Sequence, residues 1–170
     1  MYIIETARLG LRKLEDGDFE ALFPILGDPE VMYAWEHGFS DAEVREWLGK
    51  NQKRYERDGF SYFAAIDRAT GRLVGVIGPL MEDIDGMLVP GVAYIVGKEH
   101  WGQGYAPEGA AACIRYLFSQ RGADKVIASI RPDNAASLRV AKKLGMAKEG
   151  EHSKPVNGRE VLHHIYSASK

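Results

Sequence analysis

The sequence predicts an α+β domain with a mixed, mostly antiparallel central sheet flanked by helices. Three observations carry that prediction. Residues 60–66 and 73–77 are apolar, strand-forming runs joined by Asp67-Arg68-Ala69-Thr70-Gly71, a hairpin signal. Residues 92–96 (Val-Ala-Tyr-Ile-Val) are nearly continuous apolar chain, as a strand buried on both faces requires. That run leads through Trp101-Gly102-Gln103-Gly104-Tyr105-Ala106-Pro107-Glu108 into an alanine-rich segment with helical spacing, so a glycine-rich turn joins strand to helix.

The remaining elements follow in order. Residues 6–14 alternate, with Leu9, Leu11 and Leu14 between polar neighbours, and read as a first strand. Asp16 is placed to cap a helix through Phe19, Leu22, Phe23 and Leu26, which Pro24 keeps short. Residues 28–39, with Met32, Tyr33, Trp35, Glu36 and His37, read as a loop or broken helix. Ser40-Asp41-Ala42-Glu43 is a capping box opening a second helix, with Val44, Trp47 and Leu48 on one side. Residues 81–90 are acidic and turn-rich, suggesting a loop or an irregular strand. Pro107 suits the first turn of a third helix, whose Ala110, Cys113, Ile114, Leu117 and Phe118 share a face and which Gly122 ends. Residues 125–130 read as a strand, 135–144 as a short helix stopped by Gly145, and 161–166 as the closing strand. No repeat, linker or low-complexity stretch intervenes, so a single domain spans 1–170.

Composition narrows the function. The formal net charge of −2 argues against nucleic-acid binding, which needs rows of cations; Arg139, Lys142 and Lys143 make only a local basic spot. Cys113 is the sole cysteine, excluding an intrachain disulfide and a cysteine metal cluster, and its place on an apolar helical face suits a small core residue. No stretch resembles a signal peptide or reaches the roughly 18 apolar residues of a membrane span. A cytoplasmic domain without metal or membrane partner is expected.

A glycine-rich turn at a helix start converges backbone N–H groups with the positive end of the helix dipole, which makes an anion cradle. A nucleoside-triphosphate loop would need Gly-Lys-Ser or Gly-Lys-Thr, which Gly104-Tyr105-Ala106 does not supply. A dinucleotide fold would put its glycine turn after the first strand, not after about 100 residues. The segment 101–106 instead resembles the cofactor loop of the GNAT superfamily of acetyl-CoA-dependent N-acetyltransferases, Arg/Gln-x-x-Gly-x-Gly/Ala, with Trp101 in the first place. Trp-Gly-x-Gly-Tyr-Ala is similar to the branch holding the ribosomal-protein alanine N-acetyltransferases. Thr6-Ala7-Arg8-Leu9-Gly10-Leu11-Arg12 resembles that branch's opening strand. Asn134-Ala135-Ala136-Ser137, followed by Lys143-Leu144-Gly145-Met146, resembles its second cofactor motif.

The resemblance implies a splayed central strand pair that holds acetyl-CoA. Its pyrophosphate would lie on the turn formed by Trp101, Gly102, Gln103, Gly104, Tyr105 and Ala106, and its pantetheine arm would pair with backbone at Val96. A backbone N–H near Ile95 would polarise the thioester carbonyl. Asn134 and Ser137, three apart at a helix start, would both face the cofactor, with Asn134 equally suited to an N-cap. Ser137 is the candidate that helps the thiolate leave. Other branches carry a tyrosine acid seven residues after the asparagine, where this chain has Ala141, so weight shifts to Ser137 or Tyr94.

The base stays open. The branch's Glu-x-Gly-Tyr at the central strand is replaced by Gly91-Val92-Ala93-Tyr94, and its glutamate is missing. Glu82, Asp83 and Asp85 lie just upstream, and Glu36 and His37 lie in the substrate-side loop with Tyr33 and Trp35. His163 and His164 on the last strand point to opposite faces, so at most one faces a cleft, and packing or surface is the better role for either. The acceptor is a small-molecule amine or a protein N-terminus, and a homodimer is open. The competing reading is a non-catalytic acyl-CoA-binding or regulatory domain with the same fold; a nucleotide-binding protein is a third.

Overall fold

The computed structural model describes residues 1–170. One eight-stranded sheet runs through it, with strands β1 (Ile4–Glu5), β2 (Leu9–Arg12), β3 (Phe63–Asp67), β4 (Leu73–Ile84), β5 (Met87–Val96), β6 (Lys125–Ile130), β7 (Ala147–Val156) and β8 (Arg159–Ser169) in the order β1-β2-β3-β4-β5-β6-β8-β7. Every neighbouring pair is antiparallel except β5 and β6, which run parallel and pair at a single position, Gly91 with Ile127. Beyond that point both strands continue forward without pairing. Their carboxyl-terminal halves therefore diverge, and the sheet opens there.

Four helices flank the sheet: α1 (Phe19–Leu26), α2 (Asp41–Asp58), α3 (Tyr105–Gln120) and α4 (Ala135–Lys143). Ser40 accepts the Glu43 N–H at 3.2 Å and Glu43 accepts the Ser40 N–H at 3.0 Å, so the capping box forms as read. Gly109 lets α3 lie close on β4, because a Cβ there would meet Ile77 at 2.6 Å. Leu9, Leu22, Phe63, Val74, Val76, Ile77 and Leu117 are fully buried in the core between helices and sheet. Cys113 lies in that core, where burial pushes its thiol pKa up and removes it as a nucleophile.

Several expectations need correction. Of the two readings of residues 81–90, the strand holds and the loop does not: β4 and β5 run on as one long hairpin that turns at Asp85-Gly86, with Asp85 at φ 52°. A second hairpin turns at Asn157-Gly158 and creates β7, which the sequence reading missed. The first strand, read over 6–14, is confined to β2, and the unanticipated β1 precedes it across a tight turn in which the Thr6 N–H donates to the Leu9 carbonyl at 2.8 Å. At the first helix the organising carboxylate is Asp18, not Asp16. Asp18 accepts the Glu15 N–H at 2.8 Å and takes two hydrogen bonds from Arg12.

Candidate active site

The divergence of β5 and β6 opens a cavity of about 1440 Å³. One wall is β5 from Val92 to Val96, the other is Ala128 to Arg131, and the glycine turn and α4 also line the cavity. Gly102 and Gly104 have φ 77° and 79°, the left-handed region that glycine enters without strain. A Cβ on Gly102 would touch nothing within 4 Å, so the turn presents bare backbone to open space. The first N–H groups of α3 lack partners inside the helix and point the same way. Arg139, Lys142 and Lys143 of α4 line the cavity as well. Backbone amides, a helix N-terminus and three cations are the chemistry that suits a diphosphate.

Trp101 has a specific task in this turn. Its Nε1–H donates to the Val96 carbonyl at 2.8 Å, tying the turn to the end of β5, while its ring stays half exposed. Gln103 does not line the cavity; its amide is directed at the Glu99 carbonyl at 3.5 Å. Glu108, one turn into α3, accepts hydrogen bonds from the Thr6 hydroxyl at 2.5 Å, the Arg8 N–H at 3.1 Å and Arg8 Nε at 2.7 Å. The first-strand motif therefore grips the helix that carries the turn. Burial pushes the Glu108 pKa up, but the bonds from Thr6 and Arg8 outweigh it and leave the carboxyl below its ordinary range.

The strand register corrects the placement of the backbone donor. The Gly97 N–H bonds the Val74 carbonyl at 2.9 Å, and hydrogen-bonded pairs alternate along an antiparallel ladder. Ile95, two residues back, therefore turns its N–H toward β4, and Tyr94 and Val96 turn theirs toward the gap. The N–H groups that face the gap are thus those on either side of Ile95, not its own.

Across the gap, Asn134 caps α4, its Oδ1 accepting the Ser137 N–H at 3.2 Å. Ser137 Oγ lies 2.8 Å from the Tyr94 hydroxyl, which also reaches the Ser137 carbonyl at 3.2 Å. The two hydroxyls form one unit spanning the splay. Burial raises the Tyr94 pKa against the opposing pull of the Ser137 bond, so the phenol keeps its proton at neutral pH. Ala141, where the tyrosine of other branches would stand, is buried.

At the other end, Trp35, Tyr62, Glu82, Lys154 and His163 line the cavity. Tyr33 lines it too, with its hydroxyl held on Asp133 at 2.6 Å. Glu36 does not. It is hydrogen-bonded by Arg159 and by Arg131 at 3.1 Å, and these bonds hold its pKa down, the Arg159 bond most. His37 pairs with Glu43 at 2.8 Å, also outside the cavity. Asp83 accepts the Gly86 N–H at 2.7 Å in the hairpin turn. His163, expected to be packing or surface, is buried and faces the cavity; burial depresses its pKa to about 4, and its Nδ1 bonds the Val161 carbonyl at 2.9 Å. The sequence signal for it was the period-two alternation of β8, which needed the sheet to say which face was which.

A splayed parallel pair followed by a glycine turn at a helix start is an architecture that this chain shares with solved acetyltransferases. The Acetyltransferase (GNAT) domain family matches residues 8–147, and the chain belongs to that family. The Bacillus subtilis protein YkkB is 39% identical over 142 residues, covering 83% of each chain. The crystal structure of a GNAT-family acetyltransferase from Bacillus anthracis superposes with a TM-score of 0.82 at 28% identity, over 98% of this chain and 97% of that one. The ribosomal L7/L12 alpha-N-protein acetyltransferase RimL, in complex with coenzyme A, shares the fold with a TM-score of 0.77 at 18% identity, over 96% and 95%. No group of three or more His, Cys, Asp or Glu side chains is set to hold a metal ion, and no helix is long and apolar enough to cross a membrane.

Proposed function

We propose that this enzyme moves the acetyl group of acetyl-CoA directly to a primary amine, either a small molecule or a protein N-terminus. The observation that carries the reading is the Tyr94–Ser137 hydroxyl pair, 2.8 Å apart, spanning the gap just below the open glycine turn. The diphosphate of acetyl-CoA would rest on the 102–106 amides and the α3 N-terminus, with Arg139, Lys142 and Lys143 opposite its charge. The pantetheine arm would lie along the free edge of β5, as an added strand does. The thioester oxygen would accept from the Val96 or Tyr94 N–H, which favours the oxyanion of the tetrahedral intermediate. The protonated hydroxyl pair would supply the proton that the departing thiolate takes.

Cys113, the sole cysteine, is buried in the core and does not line the cavity, which leaves no candidate for an acetyl-cysteine intermediate and favours direct transfer. The RimL likeness makes a protein N-terminus a natural member of the acceptor panel. The test is thiol release from acetyl-CoA across peptides and small amines, repeated with Ser137→Ala and Tyr94→Phe. Turnover that falls in both variants supports the reading. Tight CoA binding without turnover on any amine favours the non-catalytic acyl-CoA-binding domain instead.

A further inference from the structure

We propose that Glu82 is the proton acceptor of this site, supplied from the neighbouring strand in place of the carboxylate that residue 91 lacks. The proposal rests on the acetyl-transfer reading above. In the β4–β5 ladder, Leu80 stands opposite Gly91 and Glu82 opposite Val89, so Glu82 and Gly91 are diagonal neighbours. A Cβ on Gly91 would sit 2.7 Å from Glu82 Cγ and 3.1 Å from the Ile127 carbonyl. The Glu82 side chain thus fills the space that a side chain at 91 would claim. Gly91 is also the single point where β5 meets β6. Glu82 accordingly lies across the apex of the splay, and it lines the cavity with only 14% of its side chain exposed.

Among the acidic groups that line the cavity, Glu82 alone is uncommitted; Asp85 is as free but sits at the hairpin turn, outside the cavity. Glu36 is held by two arginines, Asp133 by the Tyr33 hydroxyl, Glu30 by Lys98 at 2.6 Å, and Asp83 by the Gly86 N–H. Glu82 has no hydrogen bond from the protein, and its one ion pair, with Lys154 Nζ, is stretched to 4.0 Å. Its oxygens are available to a ligand. The charged and titratable groups around it are Lys154 and His152 of β7, Tyr62 ahead of β3, and Asp83 and Asp85 of its own hairpin, with His163 of β8 on the cavity wall. His163 is uncharged, its Nδ1 engaged with the Val161 carbonyl, so it carries no net charge to draw in a cationic amine. The Glu82 carboxylate attracts the ammonium and can take its proton.

An ammonium acceptor gives one proton to Glu82, directly or through water, and Glu82 passes it to solvent. The nitrogen lone pair forms the C–N bond to the thioester carbon, whose π electrons move to oxygen. Glu82 takes the second N–H proton as the intermediate forms and passes it to solvent in turn, the oxyanion electrons re-form the carbonyl, and the C–S bond breaks. Sulfur takes a proton from the Tyr94–Ser137 pair, which solvent restores. The net change is ammonium plus acetyl thioester to amide, thiol and one released proton.

The test is steady-state kinetics with the best amine of the panel for the wild type, Glu82→Gln, Glu82→Asp and Gly91→Ala, with CoA affinity measured by calorimetry. Glu82→Gln is expected to lose about a hundredfold or more in kcat and the acid limb of the kcat/KM pH profile, with CoA affinity unchanged. Glu82→Asp should recover part of the rate. Gly91→Ala, which leaves the carboxylate in the chain but displaces it, should lose about tenfold in kcat with the same CoA affinity. Two results overturn the assignment: Glu82→Gln within threefold of wild-type kcat, or a raised amine KM with kcat unchanged, which would make Glu82 a recognition group only. Wild-type turnover that survives Glu82→Gln removes this assignment alone, whereas a wild type that binds CoA and never turns over removes the transfer reading with it.

Discussion

Replacing Gly102 by alanine separates the conformational role of the turn from its ligand role. Gly102 sits at φ 77° with nothing within 4 Å of the methyl group that alanine would add, and Gly71 sits at φ 76° with the same empty surroundings but outside the cavity. In each the substitution forces an L-residue into the left-handed region, at a cost of about 1–2 kcal/mol. For a chain of this size that corresponds to a fall in Tm of about 2–8 °C. Gly102→Ala and Gly71→Ala should therefore melt alike in a thermal scan without ligand. Only the methyl at 102 enters the space where the diphosphate would meet backbone, so calorimetric CoA affinity should fall at least tenfold, about 1.4 kcal/mol, in that variant alone. Equal CoA affinity in the two variants would refute the placement of the diphosphate. The positive φ thus makes a substitution in this turn costly to the fold as well as to the cofactor.

Three further outcomes follow from the geometry. Tyr94→Phe and Ser137→Ala should each lower kcat about tenfold to a hundredfold with little change in acetyl-CoA KM, and the double variant should be little worse than either single one, because the hydroxyls act as one hydrogen-bonded unit. Glu108→Gln should lose about 1–2 kcal/mol in urea melts at neutral pH, discounted for the exposed Arg8 end of the pair. Because the folded-state pKa of Glu108 is lowered, its contribution is complete above the unfolded value of about 4.3 and is lost as pH falls through the folded one, so the gap between variant and wild type should close in acid. Arg159→Ala should raise the amine KM and leave CoA affinity alone, because Arg159 and Asn157 fasten the β7–β8 hairpin tip to the Glu36 and Trp35 loop over the acceptor end.

Much of the fold was legible in the sequence because local signals and core periodicity agreed. The capping box at Ser40, the strand at 125–130 and the glycine turn at 102–104 each carry their own local chemistry. Strand β7 was missed because among its ten residues only His152 and Val156 are buried, which leaves no apolar pattern to read. Asp85-Gly86 and Asn157-Gly158 were the available hairpin signals, and their acidic and polar flanks disguised them. At the site, Tyr94 and Ser137 could be named singly, but their contact joins residues 43 positions apart across a gap in the sheet. Glu36 looked as free as Glu82 in the sequence; Arg131 and Arg159, far along the chain, decide that it is not. The choice among Glu82, Asp83 and Asp85 likewise depended on strand register, which a single sequence does not fix at an acidic hairpin.

The most direct test of direct acetyl transfer is intact-protein mass spectrometry beside product analysis, with acetyl-CoA labelled in the acetyl group. With acetyl-CoA alone the protein should keep its unmodified mass, and with the best amine present, labelled amide and free CoA should form in equal amounts. A labelled acetyl-protein that forms without amine and then passes its label to the amine would contradict the account. So would the absence of any labelled amide across the acceptor panel.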